Sequence, residues 1–409
     1  MPRSATVHRA VTAATLGLAL ALAGCASDGP GGTAPSGGGE TGGPSSSPSA
    51  APRITESAAG KDACGEGECF SLSVSGDFLL HEGLWRQAEA DARTTGGGQD
   101  GLDFGPLIAA QKPYLAQADL SMCQMETPLA DAKGPYSAYP SFNVPPQILP
   151  AAKAAGYDAC TMASNHTIDQ GVPGVERTRK ALAAAKLGST GGNLTEAESK
   201  KPAIFTSSNG VKVAVVTGTY GLNGIEPDVP WRVDTLDAPT MIAKAKAARA
   251  AGADIVLANM HAGEEYASVP NEEQTTTAHA LVDSGQFDLI YGEHTHSVLP
   301  IEKYKGTWIV YGLGNNLTEL SPWYPVNNEG LMVNAVFGKK GEKWTVTTLR
   351  WAPSLIVKDP YRWCPVGTVN PAPTCAPAAA AAESRARTTE TVNSMGADKD
   401  GAVEWKIAP

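Results

Sequence analysis

Apolar positions in this chain come as short runs separated by longer stretches in which they recur every three or four residues. The runs at 70–75, 119–124, 157–163, 211–217, 255–259, 289–291 and 308–311 have strand length and are rich in Val, Ile, Leu and aromatic side chains. Helical spacing appears between them, near 103–117, 146–155, 173–186, 238–251 and 272–284. Alternation of this kind predicts a buried sheet covered by helices. The late segments 331–337 and 344–351, joined by Gly338-Lys339-Lys340-Gly341, read instead as an antiparallel hairpin. The expected fold class is therefore layered α/β with mixed strands, and ligands belong in the loops after strand ends.

The first residues do not fit this pattern. Arg3 and Arg9 precede an apolar run at 11–23 that ends in Leu22-Ala23-Gly24-Cys25. The run is too short to span a bilayer and reads as a secretory signal. Leu-Ala-Gly-Cys also looks like a bacterial lipobox, which makes residues 1–25 a lipoprotein signal peptide and lipidated Cys25 a membrane anchor on the extracytoplasmic face. Residues 26–58 are dominated by Gly, Ser, Pro, Ala and Thr, a composition that buries too little surface to fold and so predicts a disordered tether. The body follows at 64–356, with a C-terminal extension at 357–409 that includes the alanine-rich tract 376–382.

Charge and cysteine usage narrow the partners. The formal charge is −10 and no basic cluster stands out, which argues against nucleic acid. Arg177, Arg179 and Lys180 could offer local cations to an anionic polymer, or form an ordinary solvated helix face. With Cys25 lipidated, six of the seven cysteines remain, an even number in an oxidising compartment. Cys64 with Cys69, and Cys364 with Cys375, are close enough in sequence to pair. Cys123 and Cys160 are either a bridge between neighbouring strands or two buried thiols.

The polar residues that interrupt the pattern sit at the ends of the strand-like runs. Gly292-Glu293-His294-Thr295-His296 directly follows one run and brings two imidazoles to one point. Gly76-Asp77 closes the first run and Glu126-Thr127-Pro128 the second. Ser164-Asn165-His166 with Asp169 closes the third, and His261 with Glu264 a later one. Singly, each has a plainer reading as a cap or a hydrogen-bonded core residue. Together they would gather carboxylates and imidazoles in one expensive place, and a bound metal offsets that cost.

These motifs carry a resemblance. Gly76-Asp77, Met125-Glu126-Thr127-Pro128, Phe142-Asn143-Val144-Pro145-Pro146, Ala163-Ser164-Asn165-His166 with Asp169 and Gly171, His261-Ala262-Gly263-Glu264-Glu265-Tyr266, Gly292-Glu293-His294-Thr295-His296 with Pro300-Ile301-Glu302, and Tyr311-Gly312-Leu313-Gly314-Asn315 resemble the CapA family over roughly residues 70–320. These are poly-γ-glutamate capsule synthesis proteins with a fold similar to calcineurin-like metallophosphatases. The resemblance implies a four-layer α/β/β/α sandwich with mixed sheets and a centre of two divalent metal ions, Mn, Fe or Zn. Asp77 would bind the first metal and Glu126 would bridge or bind. Asn165 and His261 would hold the second metal, and His294 and His296 would divide between the two. His166 would stand beside the metals as the acid for a leaving group, and Asp169 would fix a tautomer. Glu264 would be a ligand, an acceptor behind a ligand, or a general base.

The implied activity is metal-dependent hydrolysis of a polymer amide or a phosphoester during capsule assembly. Its partners would be an anionic cell-surface polymer such as poly-γ-glutamate and the capsule synthesis membrane proteins. A non-catalytic polymer-binding or export-assisting role is the alternative. Three positions depart from the resembled pattern. Glu293 stands where His is common and adds negative charge near the metals. Asn316 replaces an aromatic, which is expected to remove apolar cover near the site. His81 stands in place of a small residue, as an added ligand or a rim histidine. His279, mid-helix, reads as structural.

Overall fold

The computed structural model describes residues 68–320 and 323–409. The signal-like segment, the tether, Cys25 and Cys64 lie outside the described residues. In chain order the strands are β1 (Cys69–Leu79), β2 (Leu120–Met125), β3 (Ala159–Thr161), β4 (Gly188–Thr190), β5 (Ala203–Thr206), β6 (Lys212–Thr219), β7 (Ile255–His261), β8 (Leu289–Glu293), β9 (Ile301–Tyr304), β10 (Thr307–Val310), β11 (Asn315–Thr318), β12 (Glu329–Lys340), β13 (Lys343–Val357), β14 (Arg362–Pro365) and β15 (Val403–Glu404). The longer helices are α1 (Glu82–Thr95), α2 (Ile148–Ala155), α3 (Gly171–Ala184), α4 (Ala238–Ala250), α5 (Glu272–Asp283) and α6 (Ala378–Asn393).

The strands make two mixed sheets. The first runs β14-β13-β12-β1-β2-β3-β4, with β11 also paired to β1 and β15 to β13; the second runs β5-β6-β7-β8-β10-β9. Period-2 alternation explains how they stack. Along β7, Ile255 and Leu257 join Phe70, Leu72 and Val74 of β1 in the core between the sheets. Val256, Ala258 and Met260 face the other way, onto Met241 and Ala245 of α4 and Leu281 of α5. On the outer side of the first sheet, Phe78 and Met125 pack with Leu84 of α1, Ile148 of α2 and Leu182 of α3. The order is helix, sheet, sheet, helix, which is the expected four-layer sandwich. Each fully buried Val, Leu, Ile or Phe contributes about 1.5–3 kcal/mol, so this double-sided patterning supplies most of the drive for stacking the sheets.

Several local expectations are refined. The helix expected over 103–117 is broken into Gly105–Ile108, a 3-10 turn at Ala109–Gln111, and Lys112–Leu115. Pro106 and Pro113 each occupy the first turn of a short helix, where a missing N–H costs nothing, and Pro113 cannot continue the preceding one. The sequence pattern does not predict helix α1, whose fully buried apolar residues are only Leu84 and Ala88, with Trp85 packed half-covered beside them among charged neighbours; its buried Asp91 is paired with Arg362 at 2.8 Å. The alanine-rich tract opens α6, whose Val392 reaches the core between the sheets. Residues after Val357 also place Trp363 and Trp405 against Tyr114, at ring distances of 5.9 and 5.2 Å.

Cys123 and Cys160 face each other across β2 and β3 and form a disulfide, and Cys364 pairs with Cys375. Cys69 is disulfide-bonded as well. Among the described residues no helix is long and apolar enough to cross a membrane.

Candidate metal centre

Asp77 reaches its place through an exchange of strand partners. Up to Ser75, β1 pairs antiparallel with β12; from Asp77 onward it pairs parallel with β11, Asp77 opposite Asn315. The crossing brings the backbones of Gly76 and Gly314 so close that a Cβ on Gly76 would run into the Gly314 carbonyl. Gly76 is therefore required by close approach, and Asp77 N donates to Gly314 O at 3.1 Å. Glu126 follows β2 directly, Asn165 lies in the turn after β3, and His261 ends β7 in register with Glu293, the last residue of β8. His294 and His296 then lie at φ 89° and 49°, in the left-handed region that non-glycine residues rarely enter. Strain of that kind persists where the surroundings enforce it, and His294 N donates to Asp77 Oδ2 at 3.2 Å.

The side chains converge in two overlapping triads, Asp77–Glu126–His296 and Glu126–His261–His294, each with potential ligand atoms within 4.8 Å of one another. Glu126 is common to both, with Oε1 lying 3.6 Å from His296 Nε2 and 3.9 Å from His261 Nε2. Asn165 Oδ1 lies 2.8 Å from His261 Nε2, so those two atoms present themselves to the same point. The opposite nitrogen, His261 Nδ1, is 3.2 Å from Gln124 Nε2, whose amide also donates to Ala163 O at 3.3 Å. His296 Nδ1 lies 3.1 Å from Asn315 Oδ1 and 3.4 Å from Asp77 Oδ2.

Electrostatics explain why this arrangement calls for cations. Burial, helped by the charges of Asp77, Glu265 and Asp169 and opposed by His296, pushes the Glu126 carboxyl well above the usual range. Burial likewise holds His261 well below an ordinary imidazole and His294 down to about 3, with neighbouring imidazoles adding to both. Both rings are therefore neutral near neutral pH, the form that binds metals. Burial alone would depress His296 too, but Glu126 and Asp77 outweigh it and bring the ring up to about 9. Asp77 Oδ1, both Glu126 oxygens and His294 Nδ1 are buried without a hydrogen-bond partner. Orphaned acceptors clustered this way are expensive unless a cation satisfies them, and the mixed N and O donor set suits a divalent transition metal.

The remaining sequence-selected residues fall around this cluster. His166 stands beside it, its Nδ1 2.8 Å from Asp169 Oδ2, while Asp169 Oδ2 also accepts from Phe142 N at 2.8 Å. Asn223 links the two neighbourhoods: its Oδ1 accepts from Asn165 Nδ2 at 3.2 Å and its Nδ2 lies 3.5 Å from His166 Nδ1. Glu264 has an exposed side chain and joins neither triad; it is Glu265 whose charge reaches Glu126 and His296. His81 occupies the N-cap position of α1 without a side-chain capping bond and packs edge-on against Phe142 at 5.2 Å, outside the triads.

Asn316 does not thin the cover of the site. It enters a separate buried network with Gln111, Ser75 and Tyr157. Arg177 donates to Asn143 Oδ1 at 3.1 Å and Arg179 to Gly192 O at 2.6 Å, so these two arginines pin loops to α3. His279 pairs with Glu302 at 2.9 Å and stacks on Tyr304 at 3.8 Å, as a structural histidine would.

Gln124, Asn223, Tyr220 and Tyr266 contribute to the surroundings of the site without a motif signal of their own at ligand positions. The exposed rings of Tyr220 and Tyr266 lie 4.5 Å from His294 and 6.4 Å from His296, and Tyr266 stacks on Tyr324 at 5.5 Å. For Tyr266, the one available signal was its place beside Glu264 and Glu265.

Residues 71–319 match the family described as "Bacterial capsule synthesis protein PGA_cap". The chain is 32% identical over 214 residues to the capsule biosynthesis protein CapA of Bacillus anthracis, covering 50% of this chain and 51% of that one. It is 34% identical over 169 residues to the PGA biosynthesis protein CapA of Bacillus subtilis (strain 168), covering 40% and 43%. The chain thus spans about half the length of the curated relatives it matches. Among solved structures it is similar to the calcineurin-like phosphoesterase YfkN from Bacillus subtilis, at 15% identity and a TM-score of 0.45, covering 79% of this chain and 97% of that one.

Proposed function

The chain belongs to the bacterial capsule synthesis protein family PGA_cap, and from that premise we propose that it is a metal-dependent hydrolase acting on a cell-surface polymer, held by a lipid at the outer face of the cell membrane. The observation that carries the hydrolase reading is the convergence of buried ligand-type side chains from five strands, with Asp77, Glu126 and His294 keeping atoms that have no hydrogen-bond partner. Asp77, Glu126 and His296 would hold one divalent cation, and Glu126, Asn165, His261 and His294 the other. A bound pair supplies a water of lowered pKa and a clamp for the oxygen of the electrophile.

The protein's own residues do the rest. Asp169 fixes His166 through Nδ1, which leaves Nε2 as the nitrogen that hands its proton to the departing amine or alkoxide. Gln124 orients His261, and Asn315 orients His296. Tyr220, Tyr266 and Tyr324 border the cluster on its exposed side and offer the substrate flat faces with hydroxyl tips. The bond cleaved is a γ-glutamyl amide or a phosphoester. Attachment outside the cell is supported by Leu22-Ala23-Gly24-Cys25 and by the disulfides Cys123–Cys160 and Cys364–Cys375, which persist in an oxidising compartment.

The test is metal analysis of the purified protein beside hydrolysis of poly-γ-glutamate and of a chromogenic phosphoester. The expected result is bound Mn, Fe or Zn and cleavage of one substrate that Asn165→Ala and His261→Ala abolish. Metal below about half an equivalent with no hydrolysis on added metal would sink the reading. The names of the relatives speak of biosynthesis, which favours a second reading, a polymer-binding component without turnover. It gains if Asn165→Ala removes surface polymer while the wild-type protein cleaves nothing.

A further inference from the structure

One buried carboxylate belongs to neither triad of the proposed centre. Glu293, at the end of β8, is 1% exposed, and its ligand atom lies within 4.8 Å of those of Asp77 and His261 in a third overlapping group. Asn259 Nδ2 donates to Glu293 Oε2 at 2.8 Å, while Oε1 is buried with no partner. Glu293 therefore has one oxygen anchored and one free, the arrangement expected of a held ligand. With Glu126 common to both triads, the Asp77 side then has three carboxylates (Asp77, Glu126, Glu293) and one imidazole, that of His296. The other side has Glu126 and the amide oxygen of Asn165 with two imidazoles, those of His294 and of His261, whose ring also lies near Glu293.

We propose that Glu293 is a third carboxylate of the centre, that it acts on the cation held by Asp77, and that it makes this position select an oxygen-preferring divalent ion of the Mn(II) class over Zn(II). The proposal rests on the metal-centre reading and adds to it a residue and a selectivity. Carboxylate oxygens suit Mn and Mg, whereas imidazole nitrogens suit Zn, so the donor counts on the two sides pull in different directions. Asn259 acts as a positioning residue for Glu293.

The experiment loads metal-free full-length protein with Mn(II) and Zn(II) chlorides, singly and in competition, and reads stoichiometry and affinity by calorimetry and elemental analysis. Wild type is expected to retain Mn(II) in the mixture. Glu293→Gln is expected to bind Mn(II) at least about tenfold more weakly, with Zn(II) uptake within twofold of wild type. If the variant does not fold, Glu293→Asp, which withdraws the carboxylate by one methylene, is measured with the same expectation. Mn(II) affinity within twofold of wild type in the folded variant overturns the proposal and leaves the metal centre standing. Wild type that takes up neither cation overturns the centre itself.

Discussion

Two buried polar clusters lie next to one another in sequence and differ in a way that separates architecture from function. Ser75, Gln111, Tyr157 and Asn316 form a closed network: Ser75 Oγ is 2.7 Å from Tyr157 OH, Tyr157 OH donates to Gln111 Oε1 at 2.9 Å, and Asn316 Nδ2 donates to both Ser75 and Tyr157. Two residues beyond Ser75 is Asp77, and one before Asn316 is Asn315, both in the other cluster. There Asp77, Glu126, Glu293 and His294 keep buried atoms without partners. The first cluster satisfies itself and carries no net charge. The second gathers carboxyl groups and an imidazole whose buried atoms no donor or acceptor in the protein satisfies, and a cation would satisfy them. Burial alone does not mark a site; burial with unmet demand does.

The contrast can be broken most directly at Glu126. Glu126→Ala should remove the carboxylate common to both triads, take metal content to one equivalent or less, and cut hydrolysis by roughly 10³-fold or more, on the scale of losing a principal electrostatic contact; wild-type turnover with both metals retained would refute the shared role. His166→Ala should lower kcat by about 10²-fold with metal content unchanged. An equal fall in bound metal would make His166 a ligand instead of an acid.

Smaller effects test the sign of the comparison. Asn316→Ala should destabilise the protein by about 1–3 kcal/mol in a denaturant titration, because Gln111, Ser75 and Tyr157 lose their closing partner, yet leave metal stoichiometry intact. Chelation acts on the other cluster alone: restoring metal at about a hundred times its dissociation constant should raise stability by about 2.7 kcal/mol in wild type and by the same amount in Asn316→Ala. A smaller gain in the variant would show the two clusters to be coupled.

Much of this was legible in the order of residues. The runs at 255–259 and 289–291 gave β7 and β8 because apolar side chains on both faces of a short run require cover on both sides. Motif spacing and resemblance singled out Asp77, Glu126, Asn165, His261, His294 and His296, and the fold brings them together. What escaped had weak local signals. Helix α1 buries only Leu84 and Ala88, with Trp85 half-covered, among charges, and α6 begins in an alanine tract that has no apolar periodicity. Glu264 and Glu265 are adjacent carboxylates, and only the turn after β7 decides that the second one's charge reaches the cluster.

The sequence by itself determined the alternation that makes two covered sheets, and it placed chemistry at the strand ends, because periodicity and motif order are local properties. Tertiary structure decided which atoms share one volume: that Glu126 stands between His261 and His296, that Glu293 turns into the centre with one oxygen free, and that Asn316 turns to a different network from Asn315. Those outcomes depend on strand exchange at Gly76 and Gly314 and on register between β7 and β8. Both are contacts between segments far apart in the chain, which no local pattern encodes.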